Sequence, residues 1–173
     1  MVLLSRFREL YAAIEDYLAG TLLFTGLSLI FINVVMRYFF SRPQSILDEF
    51  SVYFVVWGTL IGIAVALRND HHIKVDILFN ALNPKVKRRV SIVANSLGLA
   101  FAIFYTYFGF DLVFKYVESG QKSTDSQFPL WIVYLIMPLS GLLFSARFIE
   151  KIYLILKGGL SDWAEAEAEG GRH

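Results

Sequence analysis

The sequence predicts an all-α integral membrane protein with four transmembrane helices, plus amphipathic interfacial helices at the N-terminus and between spans 2 and 3. Three observations carry this: 56% of the 173 residues are hydrophobic, only 18% are charged, and four stretches of 18 to 21 residues contain no Asp, Glu, Lys, Arg or His. Those stretches are residues 17–36, 50–67, 90–110 and 126–146. Each approaches the roughly 20 residues that a helix needs to cross a hydrocarbon core about 30 Å thick. With flanking turns the spans become about 17–38, 48–68, 88–112 and 127–150, within a single four-helix membrane domain over 1–160. Residues 161–173, ending in "DWAEAEAEGGRH", read as a polar acidic tail, solvated and disordered.

Before the first span, Phe7, Leu10, Tyr11, Ile14 and Leu18 recur at helical spacing, with Arg6, Arg8, Glu9 and Asp16 largely elsewhere, which predicts an amphipathic helix at the interface. The first span is expected to be retained and not cleaved as a signal, because its apolar run exceeds the usual 7 to 15 residues. After the second span, Val75, Leu78, Phe79 and Leu82 form an i, i+3, i+4, i+7 stripe, which predicts a short helix lying flat. Asn83 and Pro84 read as an N-cap and a first-turn proline. Lys85, Lys87, Arg88 and Arg89 then stand just before the third span, where anionic headgroups attract them by about 1 kcal/mol each. On the opposite side Asp111, Lys115, Glu118 and Lys122 alternate in sign at spacings of four, three and four, so the third helix should continue beyond the bilayer. The fourth span starts at Phe128, Pro129, Leu130 and Trp131, with Trp131 and Tyr134 suited to the aromatic belt and Pro138 to a kink.

Twelve of the 16 Lys and Arg residues fall before the first span, in the second connection or after the fourth span; the other face receives Arg37, Arg42, Lys115 and Lys122. The positive-inside rule therefore places both termini in the cytoplasm. A net charge of +1 gives no pull toward nucleic acid. The absence of cysteine excludes disulfides, thiolate nucleophiles and cysteine-ligated metals.

Several residues invite a chemical reading, and each has a plainer one. His71 and His72 are adjacent, so on a helix they point about 100° apart and cannot clasp one metal. Asp70 is placed to cap the following helix, and Arg68 to snorkel toward headgroups or pair with Asp76. No Asp, Glu, Lys, Arg or His lies within the four apolar stretches, so no buried dyad, proton relay or ion ligand is predicted there. Asn33 and Asn95 are the strongest polar candidates, and interhelical hydrogen bonding is their expected role. Asp48 and Glu49 open the second span but also point apart. No catalytic, metal or cofactor site is therefore expected, and the chain is not read as an enzyme.

Packing chemistry is more evident. Gly58, Gly62 and Ala66 form a small-xxx-small track on the second helix, and Ala94, Gly98 and Ala102 another on the third. Such tracks serve contact within this unit or with another membrane subunit. Trp57, near mid-helix instead of in a belt, favours a packed protein contact of either kind. Four short spans, one internal proline and no visible repeat argue against an autonomous secondary transporter.

The succession "NVVMRYFF", "DEFSVYFVVWGTLIGIAVALRNDHHIKVDIL" and "FPLWIVYLIMP" resembles the small membrane subunit of tripartite ATP-independent periplasmic (TRAP) transporters, the DctQ-like family. The likeness covers about residues 10–156. Its most specific part is the second-span pattern running into Arg68, His72, Ile73, Val75 and Asp76, supported by Arg37, Glu49, Pro129 and Trp131. The resemblance implies a bacterial inner-membrane protein that scaffolds a large elevator-type membrane subunit carrying the sodium and substrate sites. It also implies a periplasmic substrate-binding protein that docks transiently, with Arg37, Asp48, Glu49, Lys115 and Glu118 as outer-face candidates. Residues 68–78 would be the cytoplasmic corner where the second span turns into a surface helix. A membrane-anchor subunit of a redox enzyme and a self-associating membrane protein are the alternatives. The transported acid, a C4-dicarboxylate, a sialic acid or another, would be set on other chains.

Overall fold

The computed structural model describes residues 2–68 and 84–157, with side chains from residue 10 in the first segment and at 86 and from 88 in the second. Five helices occupy them: α1 Val2–Phe40, α2 Ser45–Arg68, α3 Pro84–Ser119, α4 Leu130–Tyr134 and α5 Ile136–Lys157. Counting α4 with α5, four candidate spans are long and apolar enough to cross a membrane. The flat helix expected around Val75–Leu82, together with His72 and Asp76, lies outside the described residues.

The helices form a row. α1 packs on α2, α2 on α5, and α5 on α3, while α1 and α3 share no extensive contact. Only 17% of the spanning window of α1 and of α3 is buried within the chain, and 28% of the other two, so most of the apolar surface is left for lipid or a partner.

The separate N-terminal amphipathic helix does not appear: α1 runs unbroken for 39 residues through the first span. Leu10, Tyr11, Ile14 and Leu18 are exposed, whereas the line that faces the protein is Ala12, Glu15, Ala19, Gly26 and Asn33. The polarity is inverted because lipid solvates large apolar side chains well, so close helix contacts go to small residues and polar groups to protein partners. A Cβ on Gly26 would meet Val55 Cγ2 at 2.7 Å, and one on Gly58 would meet the Leu23 backbone nitrogen at 2.8 Å. In the other pair, a Cβ on Gly98 would press into the Phe148 ring at 2.5 Å and one on Gly141 would collide with Thr106.

The loop between α1 and α2 is fixed by two devices. Ser41 adopts φ 51, and the Arg42 N–H bonds back to the Met36 carbonyl at 3.2 Å, a left-handed helix stop. Asn33, buried at 1% exposure, accepts the Gln44 N–H at 3.0 Å, so its role is to hold the following loop. Asn95 departs from expectation: its amide donates to the Ser91 carbonyl of its own helix at 2.7 Å, which satisfies it without a neighbour.

Pro84 opens α3 as a first-turn proline should, and α3 extends to Ser119 with Lys115 bonded to Asp111 at 2.6 Å on its exposed end. The fourth span breaks at Leu135 instead of at Pro138 itself. Proline has no N–H to give the carbonyl four residues earlier, that of Tyr134, so the helix is interrupted one turn upstream.

Gly58 and Gly62 separate on one measurable property. Gly58→Ala forces the α1 and α2 backbones apart, while a Cβ on Gly62 meets nothing within 4 Å. Thermal unfolding in mild detergent should show Gly58→Ala destabilised by about 1–3 kcal/mol, and Gly62→Ala unchanged or slightly stabilised.

Candidate functional site

The row carries polar chemistry at its two ends. At the first, α1 brings Glu15 between the last turn of α2 and the middle of α5. Glu15 is 5% exposed, and its Oε2 accepts from Arg68 Nη1 at 3.0 Å and from Arg147 Nη2 at 2.8 Å. Arg68 also donates to Asp16 Oδ1 at 2.6 Å and to the Ala12 carbonyl at 3.1 Å. Arg147 lies 3.6 Å from Glu150 and stacks its guanidinium 5.6 Å from the Tyr11 ring centroid. One carboxylate thus ties three helices together. Its other oxygen, Oε1, has no hydrogen-bond partner among the described residues.

Sequence reasoning missed Glu15 because its partners stand 53 and 132 positions away. A signal was present: Glu15 falls four residues after Tyr11 and three before Leu18, on the apolar stripe instead of opposite it. Arg68 reaches back to α1, and Asp76, its other expected partner, lies outside the described residues.

At the other end Asp48 and Glu49 diverge as their adjacency requires. Asp48 pairs with Arg37 at 3.1 Å, both about half exposed. Glu49 turns inward: its Oε1 accepts from Tyr53 Oη and Ser126 Oγ, both at 2.6 Å, and its Oε2 from the Ser126 N–H at 3.1 Å. The segment it grips is a tight hairpin closed by Ser123 N–H to the Phe128 carbonyl at 2.9 Å and Leu130 N–H to the Gln121 carbonyl at 3.2 Å. Phe128 then packs edge-on to Phe50 at 5.7 Å. Lys115 and Glu118 stand nearby in sequence on the exposed end of α3.

Between the ends lie the packing residues. Trp57 Nε1 donates to the Val133 carbonyl at 3.0 Å, and Trp57 packs with Leu22 and Leu60 against Ala19, Ile61 and Ile136. Trp57, Gly58 and Gly98 therefore serve contacts within the chain. A Cβ on Gly62 would meet nothing within 4 Å, and Val52, Val56, Thr59 and Ile63 form an exposed i, i+4, i+7, i+11 stripe along α2. Ala66 continues that face, half-buried.

Residues 26–158 match the family described as tripartite ATP-independent periplasmic transporters, DctQ component. The chain belongs to the DctQ family. It is 24% identical to the C4-dicarboxylate TRAP transporter small permease protein DctQ of Vibrio cholerae, covering 90% of this chain and 77% of that one. It is 25% identical to the protein of the same name from Rhodobacter capsulatus, covering 65% of this chain and 49% of that relative, about half its length. It is also 23% identical to the sialic acid TRAP transporter permease protein SiaT of Haemophilus influenzae, covering 86% of this chain but 24% of SiaT. This DctQ-family chain is a multi-pass membrane protein and a transporter component, not an enzyme. The comparisons give no support to a redox anchor or a self-associating protein.

Two outcomes follow from the two carboxylates. Glu15→Gln leaves two guanidiniums at 15% and 17% exposure without their shared anion, so stability should fall by about 3–5 kcal/mol, and a double-mutant cycle with Arg147→Gln should return a coupling of about 1–3 kcal/mol. Glu49→Ala removes charge-assisted bonds worth roughly 1.5–3 kcal/mol each, so trypsin cleavage at exposed Lys122 should accelerate by about 10- to 100-fold.

Proposed function

We propose that this chain is the small permease subunit of a sodium-coupled TRAP transporter for an organic acid, and that it braces a larger membrane subunit in which the substrate and sodium sites reside. The observation that carries the reading is the exposed face of α2. In a bilayer, hydrophobicity alone does not drive helices together, and close packing of small and β-branched side chains does. α2 offers Val52, Val56, Thr59 and Ile63, flanked by Gly62, whereas the exposed positions of α1 and α3 include Phe24, Phe31, Phe101, Phe104 and Phe108. The α2 face is suited to a neighbouring helix and the aromatic faces to lipid chains. The likeness of this chain to a quarter of the longer SiaT permease supports a larger permease moiety as the occupant.

The polar ends fit the same role. The paired Asp, Glu and Arg residues gather in two groups, Glu15 with Arg68 and Arg147 toward one side of the row and Arg37, Asp48 and Glu49 toward the other, which leaves the cargo path to another chain. The Glu15 end is cytoplasmic, together with both termini and the corner containing Arg68, His72 and Asp76, by the excess of Lys and Arg there. Lys85, Lys87, Arg88 and Arg89 lie at the lipid interface of that corner. The opposite end faces the periplasm, where Arg37, Asp48, Lys115 and Glu118 are available to steer a substrate-binding protein, and Glu49 holds the hairpin beside them.

Co-purification tests the reading. Thr59→Trp or Gly62→Leu should lower recovery of the co-expressed large permease on a tagged small subunit about tenfold and abolish uptake, with the isolated chain's melting temperature unchanged. Full recovery and uptake with both variants would refute the α2 face as the docking surface.

A further inference from the structure

The cations at the Glu15 end fall into two classes. Arg68 and Arg147 are consumed inside the protein by carboxylates. Beside them the start of α3 and the end of α5 converge: Arg88 Nη2 donates to the Leu156 carbonyl at 3.5 Å, across 68 residues of sequence. Arg88 thus ties the first turns of α3 to the described end of α5. That contact sets Arg88 beside the backbone of the next residue, Lys157, whose ammonium lies 5.6 Å from the Tyr153 ring centroid, and Arg89 adjoins Arg88 in sequence. Among the described residues, none of these three cations has an ion-pair partner, unlike Arg68 and Arg147 nearby.

Depth and surroundings narrow what these cations meet. The charge-free stretch of α3 begins at Val90, and the Arg88–Leu156 contact holds that part of α5 at the same level, so these cations stand where hydrocarbon gives way to headgroups. From them an exposed apolar track, Val90, Val93 and Leu97, runs along α3 into the membrane. A soluble anion would have no use for such a track, whereas a lipid has one for its acyl chains. Basic pockets between transmembrane helices at this level are suited to lipids carrying two phosphates.

We propose that Arg88, Arg89 and Lys157 form a binding site for the phosphodiester headgroup of an anionic glycerophospholipid, with cardiolipin, two phosphates against three cations, as the best match. The site rests on the membrane-boundary reading of this corner given above, but not on the pairing with a larger permease.

Native mass spectrometry of the full chain in mixed micelles, titrated separately with cardiolipin, phosphatidylcholine and inorganic phosphate, tests it without depending on sidedness. Each cation near an anionic lipid is worth about fivefold in affinity, so Arg88→Gln/Arg89→Gln/Lys157→Gln should bind cardiolipin about 100-fold more weakly than the wild type. Lys115→Gln/Lys122→Gln at the other end should bind within about twofold of wild type, and circular dichroism should show both variants fully helical. The wild type should prefer cardiolipin to phosphatidylcholine at least tenfold and retain no inorganic phosphate. Equal cardiolipin binding by the triple variant and the wild type, an equal loss in the control, or phosphate bound as readily as lipid would overturn the site. Release of the wild-type chain from membranes by alkaline carbonate would instead sink the boundary reading, and the site with it.

Discussion

A buried carboxylate shared by two arginines is the constraint on which the arrangement of this small permease subunit depends. Glu15 sits on the first helix, Arg68 at the end of the second and Arg147 on the last, so the three can meet only when those helices are in their final places. An ion left alone in such surroundings costs several kcal/mol, while one paired on both sides roughly balances its desolvation. The interaction therefore contributes less to net stability than to uniqueness: few other arrangements of the helices satisfy all three charges. It also joins α1 to α5, together with the Arg147–Tyr11 stacking.

From that tie the inverted polarity of the helices follows. α1 turns Ala12, Glu15, Ala19, Gly26 and Asn33 inward and its Phe, Leu and Tyr side chains outward, so the interior is built from close backbone approach and polar bonds. A row of helices joined this way is thin, with two broad apolar faces and little interior volume. Such a shape suits a brace better than a carrier, which needs an enclosed polar site and elements that move around it. The hairpin clamped by Glu49 adds an ordered rim at the opposite end, where the connection would otherwise be free to fray.

What the sequence made legible was governed by local rules. The four spans, the extension of α3 to Ser119, the proline that opens it and the divergence of Asp48 from Glu49 all depend on residues within one or two turns of each other. The small-residue tracks were visible too, but not how they divide: Gly58 and Gly98 are filled by neighbours and Gly62 is open, a difference set by the crossing of helices distant in sequence. Glu15 and Glu49 were harder still. Both resemble ordinary boundary charges until partners up to 132 residues away are in place. The break in the fourth span was half legible, since Pro138 announces a kink but the missing bond acts one turn earlier.

In the proposed brace the exposed stripe of α2 meets a second membrane subunit while the aromatic faces of α1 and α3 meet lipid. Site-specific photo-crosslinking reads this directly. A benzophenone amino acid would be placed singly at Val52, Val56, Thr59, Ile63, Phe24, Phe101 and Phe104, with the large permease co-expressed in native membranes. Adducts with the large permease from the four α2 positions, and none from the three phenylalanine positions, are the predicted result. Adducts from the phenylalanine positions with none from α2 would rule out α2 as the docking face.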